Sequence, residues 1–331
     1  MNPLDFIYVT HVPTAEQIII LSIVILNAFN AFILISSVYV VPYIIYITHL
    51  KRLDKTKWGR ECSSSEPLHV EMHTTAMEWR EENIEYLHEV HIVNEGLNLY
   101  GEYLDFGFKK AAIIVPGRTE GLYYGYYFAK PYKEMGYNIL TIDQRAHGLS
   151  DGEFNTVGFN EHRDLLAWVR FLHDEHGVEA FVLHGLCIGS SCCMFAMTSE
   201  NCPDYIEGMV AEGMYPTFGE SFKNHMLPCG GPKAALPIID AVMKLHTGYS
   251  MMYGPIHVIG GLKKPLLMLH SKEDVYSLPK TAQELYDTCG TEQKSLVWFE
   301  KGAHSRLRIT DTEKYDSSIR AFLNSLQPAK V

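Results

Sequence analysis

Three side chains in this sequence have the types needed to cleave an acyl bond: Cys187, Asp274 and His304. A thiol attacks a carbonyl once an imidazole accepts its proton, and a carboxylate behind the imidazole fixes the tautomer and stabilises the cation. Cys187 is the centre of Gly185-Leu186-Cys187-Ile188-Gly189, after the apolar run Ala180-Phe181-Val182-Leu183 and before Cys192-Cys193-Met194-Phe195-Ala196-Met197. Such a pattern predicts a strand, a sharp bend and a helix. The two glycines are needed where strand and helix backbones pass too closely for a Cβ. Cys187 then stands at the apex of the bend.

The partners require their own strands. Pro265-Leu266-Leu267-Met268-Leu269-His270 reads as a strand whose following loop, Ser271-Lys272-Glu273-Asp274, delivers the acid. Ser295-Leu296-Val297-Trp298-Phe299 is the next, and Glu300-Lys301-Gly302-Ala303-His304 delivers the base. The backbone N–H of Ile188 is expected to be one half of an oxyanion hole, with Arg118 the first choice for the other half and Gly117 the next. One such donor contributes about 2.7–4 kcal/mol of transition-state stabilisation. This chemistry needs neither a metal nor an organic cofactor.

Taken together these motifs resemble an α/β-hydrolase, and the Cys at the apex resembles the dienelactone-hydrolase branch. Val115-Pro116-Gly117-Arg118-Thr119-Glu120-Gly121 stands where that family carries a His-Gly oxyanion loop and is similar to some lysophospholipase and monoacylglycerol-lipase members. Asp143-Gln144-Arg145-Ala146-His147-Gly148-Leu149-Ser150 is similar to the family's Asp-x-Arg-x-His-Gly-x-Ser loop. Two departures stand out: Pro116 replaces the usual His, and Cys187 replaces the commoner Ser. The resemblance runs from about residue 90 to the C-terminus and implies a mostly parallel twisted sheet with helices on both faces and an inserted helical lid.

The rest of the chain agrees with an α/β class. Strands at 111–115, 137–142, 180–184 and 208–212 alternate with helices at about 121–135, 159–176 and 188–199, which predicts a parallel sheet. Between Met214 and Lys264 the alternation stops. This stretch, about 214–264, is the expected lid; its methionines suit an apolar substrate or simply fill a small helical core. His69 and His73 are spaced as metal ligands could be, but with no third ligand motif nearby the reading is a solvated helix face.

From Ile18 to Ile47 no residue is charged. The run is about twice a signal-peptide core and lacks a basic leader, so a transmembrane anchor is expected, with Pro42 marking a kink or an end. Lys51, Arg52, Lys55, Lys57 and Arg60 follow it and no Lys or Arg precedes it, which places the catalytic domain on the cytoplasmic side. The expected organisation is a tail and anchor over 1–50, a basic and polar linker with an approach helix over 51–88, and the hydrolase domain over 89–328. A net charge of -11 disfavours nucleic acid, and seven scattered cysteines, an odd number, fit reduced thiols.

The function expected is hydrolysis of an acyl ester or thioester, lipid-derived in view of the bilayer. The alternatives are a non-catalytic hydrolase-fold protein that binds a lipid or partner, and a peptidase like the serine aminopeptidases that share the fold.

Overall fold

The computed structural model describes residues 13–54, 56–62, 64–226 and 235–326. The N-terminal tail up to residue 12 and part of the lid, 227–234, lie outside them. The chain opens with α1 (Ala15–Ile35), capped by Thr14 and Gln17 in a reciprocal capping box. A π-helical turn, Ser36–Val40, joins it to α2 (Val41–Leu50). That turn answers Pro42, whose missing N–H and bulky ring disturb the ordinary helical register. The N–H of Val41 reaches back five residues to the Ser36 carbonyl.

α3 (Pro67–Glu82) leads to the hairpin β1 (Leu87–Asn94) and β2 (Leu97–Leu104). Glu95 and Gly96 form its two-residue turn, both at positive φ (48° and 79°), the conformation whose twist matches a hairpin. Then come β3 (Lys110–Val115), α4 (Lys130–Glu134), β4 (Tyr137–Ile142), α5 (Glu161–His176), β5 (Ala180–Leu186), α6 (Ile188–Thr198) and β6 (Ile206–Glu212). After α7 (Phe218–Met226) and α8 (Leu236–Thr247) the order is β7 (Leu266–Ser271), α9 (Pro279–Thr288), β8 (Lys294–Phe299), α10 (Leu307–Thr310) and α11 (Thr312–Ser325).

One eight-stranded sheet has the order β1-β2-β4-β3-β5-β6-β7-β8, antiparallel around β2 and parallel from β4 to β8. β4 and β5 are buried along their whole length, as expected of parallel strands covered on both faces. One face packs Leu165, Trp168, Val169 and Leu172 of α5 with Cys192, Cys193 and Met194 of α6. The other packs Tyr315, Ile319 and Phe322 of α11 with Met72 and Ala76 of α3.

The helix expected at 121–135 is broken. Leu122–Phe128 is a 3₁₀ segment and only Lys130–Glu134 is α-helical. Four aromatic rings of that segment, Tyr124, Tyr126, Tyr127 and Phe128, are buried, and Gly125 packs so closely that a Cβ there would sit 2.7 Å from Thr141 Cγ2. Close packing against β4 overrides the ordinary helical pitch.

α3 is clamped to the sheet by a buried carboxylate. Glu102 on β2 receives Arg80 Nε at 2.7 Å, Arg80 Nη2 at 3.1 Å and the Tyr126 hydroxyl. Arg60 approaches the same group at 3.5 Å and binds Asp143 at 2.8 Å. Removing one partner from such a set leaves charge buried and unpaired. Glu102→Ala should therefore destabilise the fold by about 3–5 kcal/mol, read as a fall in the thermal midpoint of the full chain, whereas Glu89→Ala, at an exposed position of β1, should leave it unchanged.

Candidate active site

Cys187 adopts φ 54° and ψ -111° between β5 and α6, a conformation that L-residues avoid and that persists only when its surroundings impose it. They do so from three sides. The Cys187 N–H donates to the Glu212 carbonyl at 2.9 Å. Ser190 Oγ donates to the carbonyls of Gly185 and Glu212 at 2.6 and 3.0 Å. A Cβ on Gly189 would strike the Val115 carbonyl of β3, and one on Gly185 would strike the Ser190 nitrogen. Ser190 and Ser191 are buried with their hydroxyls engaged on backbone carbonyls.

Asp274 lies in the loop after β7 and His304 in the loop after β8, and His304 Nδ1 is 2.7 Å from Asp274 Oδ2. The other carboxylate oxygen accepts the N–H groups of Tyr276 and Ser277, each at 2.8 Å. Burial alone would raise the Asp274 carboxyl, but the charge and hydrogen bond of His304, with the Ser277 N–H, hold it below its ordinary range. Nε2 of His304 is buried, and its ring shares a cavity wall with Cys187, the neighbour whose charge and hydrogen bond both act on the imidazole. Burial works against the imidazolium, yet the Cys187 charge and then Asp274 outweigh it, so His304 is pushed well above its ordinary value. Gly213, at φ 61°, makes room for the imidazole: a Cβ there would lie 2.9 Å from the His304 ring.

The N–H of Ile188 opens α6, where no carbonyl inside the helix can accept it. Of the two candidates for a second donor, Gly117 already gives its N–H to Glu120 Oε2 at 2.9 Å, because the buried Glu120 side chain folds back beneath the loop. Arg118 is held by the loop after β4. His147 Nε2 lies 2.7 Å from the Arg118 carbonyl and Gln144 Nε2 donates to the Pro116 carbonyl at 2.8 Å. His147 in turn stacks on Trp58, with centroids 4.7 Å apart. Asp143, Arg145 and His147 thus brace the loop: Asp143 accepts the Leu149 N–H at 2.9 Å and Arg145 pairs with Asp164 at 2.6 Å.

The cavity, about 500 Å³, also takes in residues that the sequence pattern did not single out: Ile45 and His49 of α2, Phe218, Ser221, Phe222 and His225 of α7, then Tyr276, Ser305 and Arg306. Tyr276 and Arg306 each follow an expected site residue by two positions, a signal that was present in the chain. His225 stacks on Tyr276 at 3.6 Å, and burial, followed by the His304 and Arg118 charges, pushes it down to about 4. Two methionines of the expected lid take the core alternative, while Met252 is exposed. Met243 and Met251 are buried beside Ile239 and Phe222, and the lid's contribution to the wall is aromatic and polar instead.

His69 departs from expectation. It is buried, stacks on Tyr124 at 4.9 Å and receives Arg306 Nη2 at 2.7 Å. Burial and that guanidinium push it down to about 4, so it is a neutral packing element and not a solvated face. The six described cysteines are free thiols, and Cys192, Cys193 and Cys289 are buried.

The strand order, with the bend after the fifth strand, the acid after the seventh and the histidine after the eighth, decides the fold. The chain has the α/β-hydrolase fold. A family model described as alpha/beta hydrolase fold matches residues 111–229. Among solved structures, a Pyrococcus furiosus esterase is similar at 22% identity and a TM-score of 0.64, covering 74% of this chain and 93% of that one. An α/β-hydrolase from Vibrio vulnificus is similar at 15% identity and a TM-score of 0.59, covering 82% and 99% respectively. The Bacillus subtilis protein YqkD, itself uncharacterized, is 27% identical over 221 residues, 65% of this chain and 71% of that protein. These matches agree with the fold.

Two measurements test the site geometry of this hydrolase fold. Gly189→Ala must push α6 off β3 and should destabilise the protein by about 1–3 kcal/mol, seen as a lower thermal midpoint. Cys187→Ala removes the largest influence raising His304, so the His304 Cε1–H resonance should titrate at lower pH than in the wild type. An equal or higher midpoint would contradict the pairing.

Proposed function

We propose that the chain is an acyl hydrolase acting on carboxylic esters or thioesters through Cys187, His304 and Asp274. The observation that supports this most is the His304 ring, anchored to Asp274 at 2.7 Å while its far nitrogen is buried in the cavity that Cys187 lines. A site that only bound a ligand gains nothing from an imidazole held in that way.

In the proposed reaction His304 takes the thiol proton and the Cys187 sulfur bonds to the acyl carbon, sending the carbonyl π electrons to oxygen. The N–H groups of Ile188 and Arg118 receive the oxyanion. Collapse breaks the bond to the leaving alcohol or thiol, which departs with the proton from His304 Nε2. Water then attacks the resulting thioester as His304 takes its proton, and the acid and free Cys187 are released. Asp274 stays ionised throughout and keeps the second nitrogen of the imidazole protonated.

The setting points to an acyl chain. The helical stretch Ala15–Leu50 is long and apolar enough to cross a membrane, and Ile45, Ile188, Phe218 and Phe222 give an otherwise polar cavity wall an apolar portion. We read the protein as single-pass with the catalytic domain on the cytoplasmic side, from the basic residues that follow the helix. Purified full-length protein in detergent should hydrolyse members of a panel of short- and long-chain acyl esters and thioesters and should be labelled by a thiol-directed acyl probe. Cys187→Ala and His304→Ala should each lower kcat/KM by about 10³-fold or more. Wild-type protein that neither labels nor turns over any member of the panel defeats the proposal.

A further inference from the structure

The apolar N-terminal helix continues past the length a bilayer needs and becomes part of the pocket. α1 has 21 residues and none is buried; at 1.5 Å per residue it is about 31 Å long, close to the ~30 Å hydrocarbon core. α2 carries on in the same direction with one stripe turned to protein: Pro42, Tyr46 and Leu50 are buried, and their spacing of four puts them on one face. Tyr46 stacks on Phe154 at 5.8 Å and on His246 of α8 at 5.5 Å. Beside that stripe, Ile45 and His49 face the cavity that holds Cys187. The His49 ring meets Phe222 edge-on at 5.0 Å, and the His49 carbonyl accepts Arg118 Nη1 at 3.0 Å. The remaining face is exposed and apolar, with Val41 at 48% and Ile44 at 47%.

A single helix therefore carries an outward surface fit for lipid, a buried stripe that fixes it to the lid, and two residues that form the wall beside the nucleophile. Lys57 fastens its end by donating to the carbonyls of Thr48, at 2.7 Å, and Lys51. We infer that the substrate is a bilayer-resident ester of a long-chain fatty acid, and that it reaches Cys187 by sliding along α2, between that helix and α7, without passing through bulk water. The inference rests on the acyl-hydrolase reading and adds the substrate class and the route. α2 is then the element that selects chain length, and Ile45 is its point of contact with the chain.

The full-length protein, reconstituted into phosphatidylcholine vesicles, supplies the test. A fluorogenic dioleoyl glycerol ester is placed either in the vesicles that carry the protein or in separate protein-free vesicles, and p-nitrophenyl acetate reports the chemistry independently. Hydrolysis should be tenfold or more faster when lipid and protein share a vesicle. Ile45→Trp should lower the ratio of oleoyl-ester to acetate kcat/KM tenfold or more, Ile45→Ala should shift the preference among chain lengths, and Ile44→Trp on the lipid-facing side should leave the ratio unchanged. Equal rates from the two vesicle arrangements, or an unaltered ratio in both Ile45 variants, overturn the inference while leaving the hydrolase reading intact. Absence of acetate turnover in the wild type removes that reading, and the inference with it.

Discussion

The positive-φ backbone at Cys187 is the constraint on which the rest of the site depends. A residue at φ 54° stays there only if neighbouring groups leave no alternative, and here they are the carbonyl of Glu212, the hydroxyl of Ser190 and the bare glycines at 185 and 189. Each belongs to a strand or helix of the central core, so the apex is rigid before any substrate arrives. Rigidity of this kind lets a bend present a side chain to a cavity without a loop's freedom. Beneath it, Glu212 accepts the Tyr315 hydroxyl at 2.6 Å and the Leu307 N–H at 3.3 Å, and burial lifts its carboxyl to about 7. The same residue thus anchors the apex through its carbonyl and the loop after His304 through its carboxyl.

Electrostatics and packing act together around the histidine. His304 is raised by the charges of Cys187 and Asp274 against the opposing effect of burial, whereas burial leads at His225 and His69, with the charges of His304 and Arg118 beside the first and of Arg306 beside the second, and both are pushed down to about 4. Three imidazoles near one cavity are therefore shifted in different directions by their neighbours. The arginines divide in the same way. Arg145 and Arg308 are tied to Asp164 and Asp316, and Arg118, which makes no ion pair among the described residues, lines the cavity instead.

Much of this was legible in the sequence, and the reason is local pattern. The bend at Cys187, the strand-then-loop units ending in Asp274 and His304 and the bracing loop from Asp143 to Ser150 each announce themselves within about ten residues, through alternation of apolar runs with Gly. What escaped depends on partners far away. His69 looked like part of a wet helix face because Arg306, 237 positions later, is what covers it. Gly117 looked available as a donor until the Glu120 side chain was seen to curl onto it. The aromatic stretch after Gly121 had no Pro or Gly to forbid a helix except Gly125, and only its packing on β4 explains the tighter turn. The participation of Ile45 and His49 had no local sign, because an uncharged run looks alike whether it ends in lipid or against protein.

The residues after α2 are tied to the hydrolase fold at several points. Leu50 is buried, the Arg52 guanidinium donates to the carbonyls of Gly148 and Ser150, Trp58 lies flat on His147 and Arg60 is paired with Asp143. Among the described residues these contacts join α2 directly to the folded body. A folded body on a slack tether samples every tilt, whereas this one is bolted to its mast, so on the proposed reading of α1 as a membrane anchor the angle at which the mouth of the cavity meets the lipid would follow from how that helix stands in the bilayer.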